Sequence, residues 1–94
     1  MQITDIKIRK IFNEGPMKAV VSVAFDDALV VHDIKIINPA DSERFFCVMP
    51  SKKLADETFC DIAHPINSLF RRELEKAILE AYHVRLAAEQ EIKE

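Results

Sequence analysis

Two pairs of adjacent cations, Lys52-Lys53 and Arg71-Arg72, are the side chains in this sequence best suited to chemistry with a partner. The lysines follow Met49-Pro50-Ser51, where proline closes an apolar run, so both are expected in solvent. The arginines fall in the first turns of a predicted helix. Cations there oppose the helix macrodipole, at a cost of a few tenths of a kcal/mol. A phosphate docked at that end would reverse the penalty, because it would use the guanidinium groups and the free backbone N–H groups together. The competing reading is a solvated face with local ion pairs such as Arg71 with Glu75.

Catalytic and metal-binding constellations are weaker. His32-Asp33 looks like an acid–base pair, but neighbours on a strand point to opposite faces. Cys60, Asp61 and His64 could be drawn as a nucleophilic site. No glycine-rich loop accompanies them, and a structural role for His64 before the helix is the stronger reading. Three scattered histidines and two scattered cysteines lack metal-site spacing. The expectation is therefore no catalytic residue, no metal, no cofactor and no small-molecule substrate.

Several elements must position the basic pairs. Ile3 to Phe12 alternates weakly, with Ile6, Ile8 and Phe12 on one side and Asp5, Lys7 and Arg9 on the other. Asn13-Glu14-Gly15-Pro16 is a turn, and Gly15 is the residue free to take positive φ without cost. Met17 to Phe25 is the clearest strand, with Met17, Ala19, Val21, Val23 and Phe25 on one face. Asp26-Asp27-Ala28 is short enough to close a hairpin onto Leu29 to Ile37. In that third strand Val30, His32, Ile34 and Ile36 share a face. Residues 38–43 form a polar loop, and Arg44 to Met49 is a fourth strand with Phe45, Cys47 and Met49 inward. Ser51 to Asp56 reads as a solvated segment, and Thr58 to Ile62 as a short fifth strand. Asn67 and Ser68 are both good helix caps. Beyond them Ile66, Phe70, Leu74, Ala77/Ile78 and Ala81 make one apolar stripe.

Strands followed by a helix predict an α+β fold: an antiparallel β-sheet of four to five strands with a C-terminal α-helix packed against it. Ninety-four residues make one domain. No apolar run reaches the ~20 residues of a membrane span, and no secretion signal precedes the first strand. Cys47 and Cys60 are then reduced thiols of a cytoplasmic protein. The formal net charge is −3, unlike a generic polyanion binder. The acidity sits in the tail: residues 1–72 hold ten Lys/Arg and ten Asp/Glu, and residues 73–94 hold three and six. The earlier cations come in clusters, Lys7/Arg9/Lys10, Lys52/Lys53 and Arg71/Arg72. Screening keeps such clusters local beyond about 8–10 Å, so a positive face is compatible with an acidic protein. Val/Ile-rich strands with open edges also favour a two-fold dimer that extends the sheet.

Certain segments resemble the SpoVG family (stage V sporulation protein G, the septation regulator). They are Ile3-Thr4-Asp5-Ile6, Met17-Lys18-Ala19, Val31-His32-Asp33-Ile34-Lys35, Met49-Pro50-Ser51-Lys52 and Asp61-Ile62-Ala63-His64-Pro65-Ile66-Asn67-Ser68. The resemblance is collinear to about Tyr82-His83. It implies a single domain over residues 1–84, with 85–94 an acidic helix end or flexible tail. It further implies a bacterial, cytoplasmic, homodimeric regulator that binds DNA and in some cases RNA, and affects gene expression, septation or sporulation. Lys52, Lys53, Arg71 and Arg72 match the family's nucleic-acid-contacting regions. Leu69-Phe70 is more apolar than the family pattern, which suits a dimer or packing contact. The alternative is a protein-interaction module of the division or regulatory machinery without direct nucleic-acid binding.

Overall fold

The computed structural model describes residues 1–39 and 44–92, the last four of these as backbone only; part of the predicted 38–43 loop lies outside the described residues. Three long strands, β1 (Ile3–Ile11), β2 (Met17–Phe25) and β3 (Leu29–Ile37), and a short β4 (Phe46–Val48) form an antiparallel sheet in the order β1-β2-β3-β4. A separate two-stranded hairpin, β5 (Ser51–Lys53) and β6 (Phe59–Asp61), follows. One helix, α1 (Ser68–Ile92), completes the chain. The fold is α+β, with the helix packed on one face of the main sheet. Among the described residues no helix is long and apolar enough to cross a membrane.

The core is the side of the sheet facing α1. Ala19, Val21, Val23 and Phe25 of β2 alternate inward and meet Ile34 and Ile36 of β3, then Cys47 and Met49. The helix contributes Leu74, Ile78 and Tyr82, spaced one turn apart. Burying each Val or Ile stabilises by about 1.5–3 kcal/mol relative to exposure. Phe25 packs against Phe70 with ring centroids 6.0 Å apart, and Phe45 against Tyr82 at the same separation. The helix thus runs from the β2–β3 turn toward the opposite end of the sheet. The seam is Phe70, Leu74, Ile78 and Tyr82, a slight rotation from the predicted stripe. Ile66 precedes the helix and stays 91% exposed.

β-Bulges reset the alternation that strict period-two reading assumes. Register shifts lie between Ile3 and Asp5 and between Ile8 and Lys10 on β1. Each inserts one residue, so inward positions fall at Ile3, Ile6, Ile8 and Ile11. Ile11 therefore takes the inward place expected of Phe12, which turns outward under the Lys10 ammonium, 5.0 Å from its ring centre. On β3, Val21 pairs with Ile34 and Val23 with Val31, leaving His32 and Asp33 opposite Ser22. The shared face of β3 is then Val31, Ile34 and Ile36, with Val30 and His32 on the other side. Asp33 has φ 63°, the left-handed backbone that such a bulge uses.

Positive φ is wider than Gly15 (φ 83°) alone: Asp26 and Asp27 take 53° and 52°. These angles build the tight turn whose twist matches the flanking strands, and a short carboxylate side chain tolerates them. β1 helps hold it. The Gln2 N–H donates to Asp26 Oδ1 at 2.8 Å and the Asp27 N–H to Thr4 Oγ1 at 3.0 Å. The acidic C-terminal segment is helical as far as Ile92.

Candidate nucleic-acid interface

Lys52 and Lys53 lie on a strand, not in an irregular solvated segment. They pair with Cys60 and Phe59 of β6. The base of this hairpin is closed by the Ile62 N–H donating to the Pro50 carbonyl at 2.8 Å. Its far end turns at Glu57 (φ 69°), where the Leu54 N–H reaches the Thr58 carbonyl at 2.7 Å. Inside that loop the Asp56 carboxylate accepts the Thr58 hydroxyl at 2.6 Å and the Thr58 N–H at 3.2 Å. The Thr58 hydroxyl, more than its N–H, holds the Asp56 carboxyl below the usual range. At a strand's rise of ~3.3 Å per residue, the lysines stand about 7–10 Å beyond the base. Lys53 Nζ lies 3.8 Å from Glu57 Oε1, a pair open to solvent on both sides.

Arg71 and Arg72 sit in the opening turns of α1. Asn67 is the cap: its Oδ1 accepts the Phe70 N–H at 2.7 Å, and its carbonyl accepts the Arg71 N–H at 3.1 Å. No acidic side chain occupies the first turn. The expected Arg71–Glu75 ion pair is not formed; Glu75 Oε2 instead accepts the Cys47 N–H of edge strand β4 at 3.2 Å. Part of that sheet edge, expected to be open for dimer pairing, is therefore occupied. Among the described residues, Lys52, Arg71 and Arg72 make no ion pair or side-chain hydrogen bond.

A cavity of about 350 Å³ is lined by Met49 and Ala63, which flank the hairpin, and by Asn67 and Phe70 at the helix start, and none of Lys52, Lys53, Arg71 and Arg72 lines it. No hydrogen bond or ion pair among the described residues joins the lysines to the arginines directly. Around them large apolar side chains stand in solvent: Phe59 (71%), Ile62 (66%), Ile66 (91%) and Leu69 (77%). Of these, only Leu69 is marked out in the sequence, by its apolar neighbour. Phe59 and Ile62 follow from the hairpin's separation from the main sheet, and Ile66 lies in the segment just before the helix.

The hydrogen bonds of the residues considered for catalysis go to other groups. His64 Nδ1 lies 3.1 Å from the Pro65 carbonyl, and Cys60 Sγ 3.7 Å from the Asp61 carbonyl. His32 Nδ1 is 2.8 Å from Ser22 Oγ, which also accepts Arg9 Nε–H at 3.1 Å. Among the described residues no cluster of three or more His, Cys, Asp or Glu is placed to hold a metal ion.

The SpoVG family model matches residues 1–84. The chain belongs to the SpoVG family. Its relatives include three proteins named "Putative septation protein SpoVG". That of Caldicellulosiruptor saccharolyticus is 52% identical over 88 residues, covering 94% of this chain and 98% of the relative. That of Clostridium beijerinckii is 53% identical over 89 residues, covering 95% and 96%. That of Clostridioides difficile is 50% identical over 86 residues, covering 92% and 91%. The SpoVG match spans the sheet, the hairpin and most of the helix, so both basic pairs lie inside the family's shared core.

Proposed function

We propose that this chain is a nucleic-acid-binding regulatory protein of septation or sporulation, working as a homodimer through Lys/Arg contacts to phosphates. The names of the relatives supply the process. One observation carries the chemistry: consecutive arginines, unpaired among the described residues, open a helix whose first turn has no acid. That arrangement slightly opposes the helix dipole in the free protein, and a bound anion would offset it. Lys52 and Lys53 extend the cationic surface along the hairpin. The exposed Phe59, Ile62, Ile66 and Leu69 support a second copy docking beside the basic pairs. A dimer would present every cation twice and raise avidity without new contacts.

The same apolar residues favour a second reading, a surface for a protein of the division or regulatory machinery. The two differ in what removing charge does. Lys52→Gln/Lys53→Gln and Arg71→Gln/Arg72→Gln each weaken binding to all nucleic-acid sequences on the first reading. Unchanged affinity in both double variants would remove these residues from the site.

A further inference from the structure

The helix covers one face of the main sheet; among the described residues nothing covers the other. That open face is neither uniformly polar nor acidic. Pairing registers place Lys10, Val20, Lys35 and Val48 in one row across all four strands. The two lysines are two strands apart, about 10 Å. Lys7 lies opposite Ser22 on the same face, and Arg9, the extra residue of its bulge, reaches Ser22 Oγ from the same side. Against Lys7, Arg9, Lys10 and Lys35 stand the acids Asp5 and Asp33, so the face is positive on a protein whose net charge is −3. Two rings flank the lysine row. Phe12 lies beneath Lys10, and Phe46, 42% exposed, is paired with Ile37 next to Lys35. Val30 and Val48 add exposed apolar surface at 47% and 37%.

We infer that this face is a binding platform for single-stranded nucleic acid, distinct from the hairpin and helix start. A sheet face that mixes cations with an accessible ring suits a strand whose bases are free to stack, which a duplex does not offer. Lys7, Arg9, Lys10 and Lys35 contact phosphates, and Phe46 receives a base. The Arg9–Ser22–His32 bridge holds the guanidinium over β2 and buries Ser22 to 4% exposure. The inference rests on the nucleic-acid reading above but not on its assigned residues.

The test is fluorescence anisotropy with labelled oligothymidylate and oligouridylate of about 20 nucleotides, long enough for one binding site. Lys7→Gln/Lys10→Gln/Lys35→Gln is expected to lower affinity at least tenfold. It should also flatten the dependence of log K on log salt by about 2, at ~0.7 per lost phosphate contact. Phe46→Ala, at an exposed position that leaves the core intact, is expected to lower affinity about tenfold through lost stacking. Far-UV circular dichroism and Tm confirm that each variant is folded. Wild-type binding with unchanged affinity and slope in the triple variant overturns the platform while leaving the nucleic-acid reading standing. No binding by the wild type overturns both.

Discussion

The Asn67 side chain accepts the Phe70 backbone N–H at 2.7 Å, and this bond sets where the helix begins. It thereby places Arg71 and Arg72 within reach of the same free end. Asn67→Ala is expected to destabilise the protein by about 1 kcal/mol, the usual cost of losing an N-cap. Asn67→Asp is expected to be nearly neutral, because a carboxylate caps as well and suits the dipole. Urea denaturation of the two variants checks both.

The thiols should react very differently. Cys47 is buried beneath the helix, and burial, helped by the nearby Glu75 carboxylate, pushes its pKa up to about 12. Cys60 is exposed on β6. A disulfide reagent such as Ellman's at neutral pH should modify one thiol quickly, and the second only as the chain unfolds. Cys60→Ser should abolish the fast phase; a persisting fast phase would place Cys47 in solvent.

The same burial gives a pH dependence whose sign is fixed. A thiol raised from 9.0 to about 12 keeps its proton in the folded chain after the unfolded chain has lost it. Its contribution to stability is complete below the unfolded value and is lost as pH rises from about 9 toward 12. Burial also raises the Tyr82 hydroxyl, adding to the alkaline loss. Tm is expected to fall progressively above pH 9, and less steeply in Cys47→Ala, even though that variant starts from a lower Tm.

The apolar surface at the hairpin and helix start should govern association. Ile66→Glu/Leu69→Glu is expected to shift the proposed dimer to monomer in analytical ultracentrifugation, with the far-UV circular dichroism of a folded chain retained because both side chains are exposed. A wild-type monomer at high micromolar concentration would contradict the dimer; a variant that remains dimeric would move the contact elsewhere.

The strands were readable where apolar residues alternate strictly, as from Ala19 to Phe25. They were not readable where bulges add a residue. The spacing Ile3, Ile6, Ile8, Ile11 fits neither a strict strand nor a helix until Thr4 and Arg9 are recognised as extra residues. His32-Asp33 looked like a neighbouring pair for chemistry, but its two residues are the pair opposing Ser22. Lys52-Lys53 and Arg71-Arg72 were visible because charge and position on a helix are local properties. That Lys52 and Lys53 lie on a strand depends on pairing with Phe59 and Cys60, which no local pattern encodes. The cap was narrowed to Asn67 or Ser68, and the hydrogen bond to Phe70 decides it.

The central claim is that the basic groups contact phosphates. The direct measurement is anisotropy of labelled single- and double-stranded DNA and RNA, titrated with the protein at two salt concentrations. Binding that weakens steeply as salt rises is predicted, because each neutralised phosphate releases counterions. No binding to any of the four polymers, at low salt and high micromolar protein, would contradict the account and leave the lysines and arginines as ordinary solvated surface.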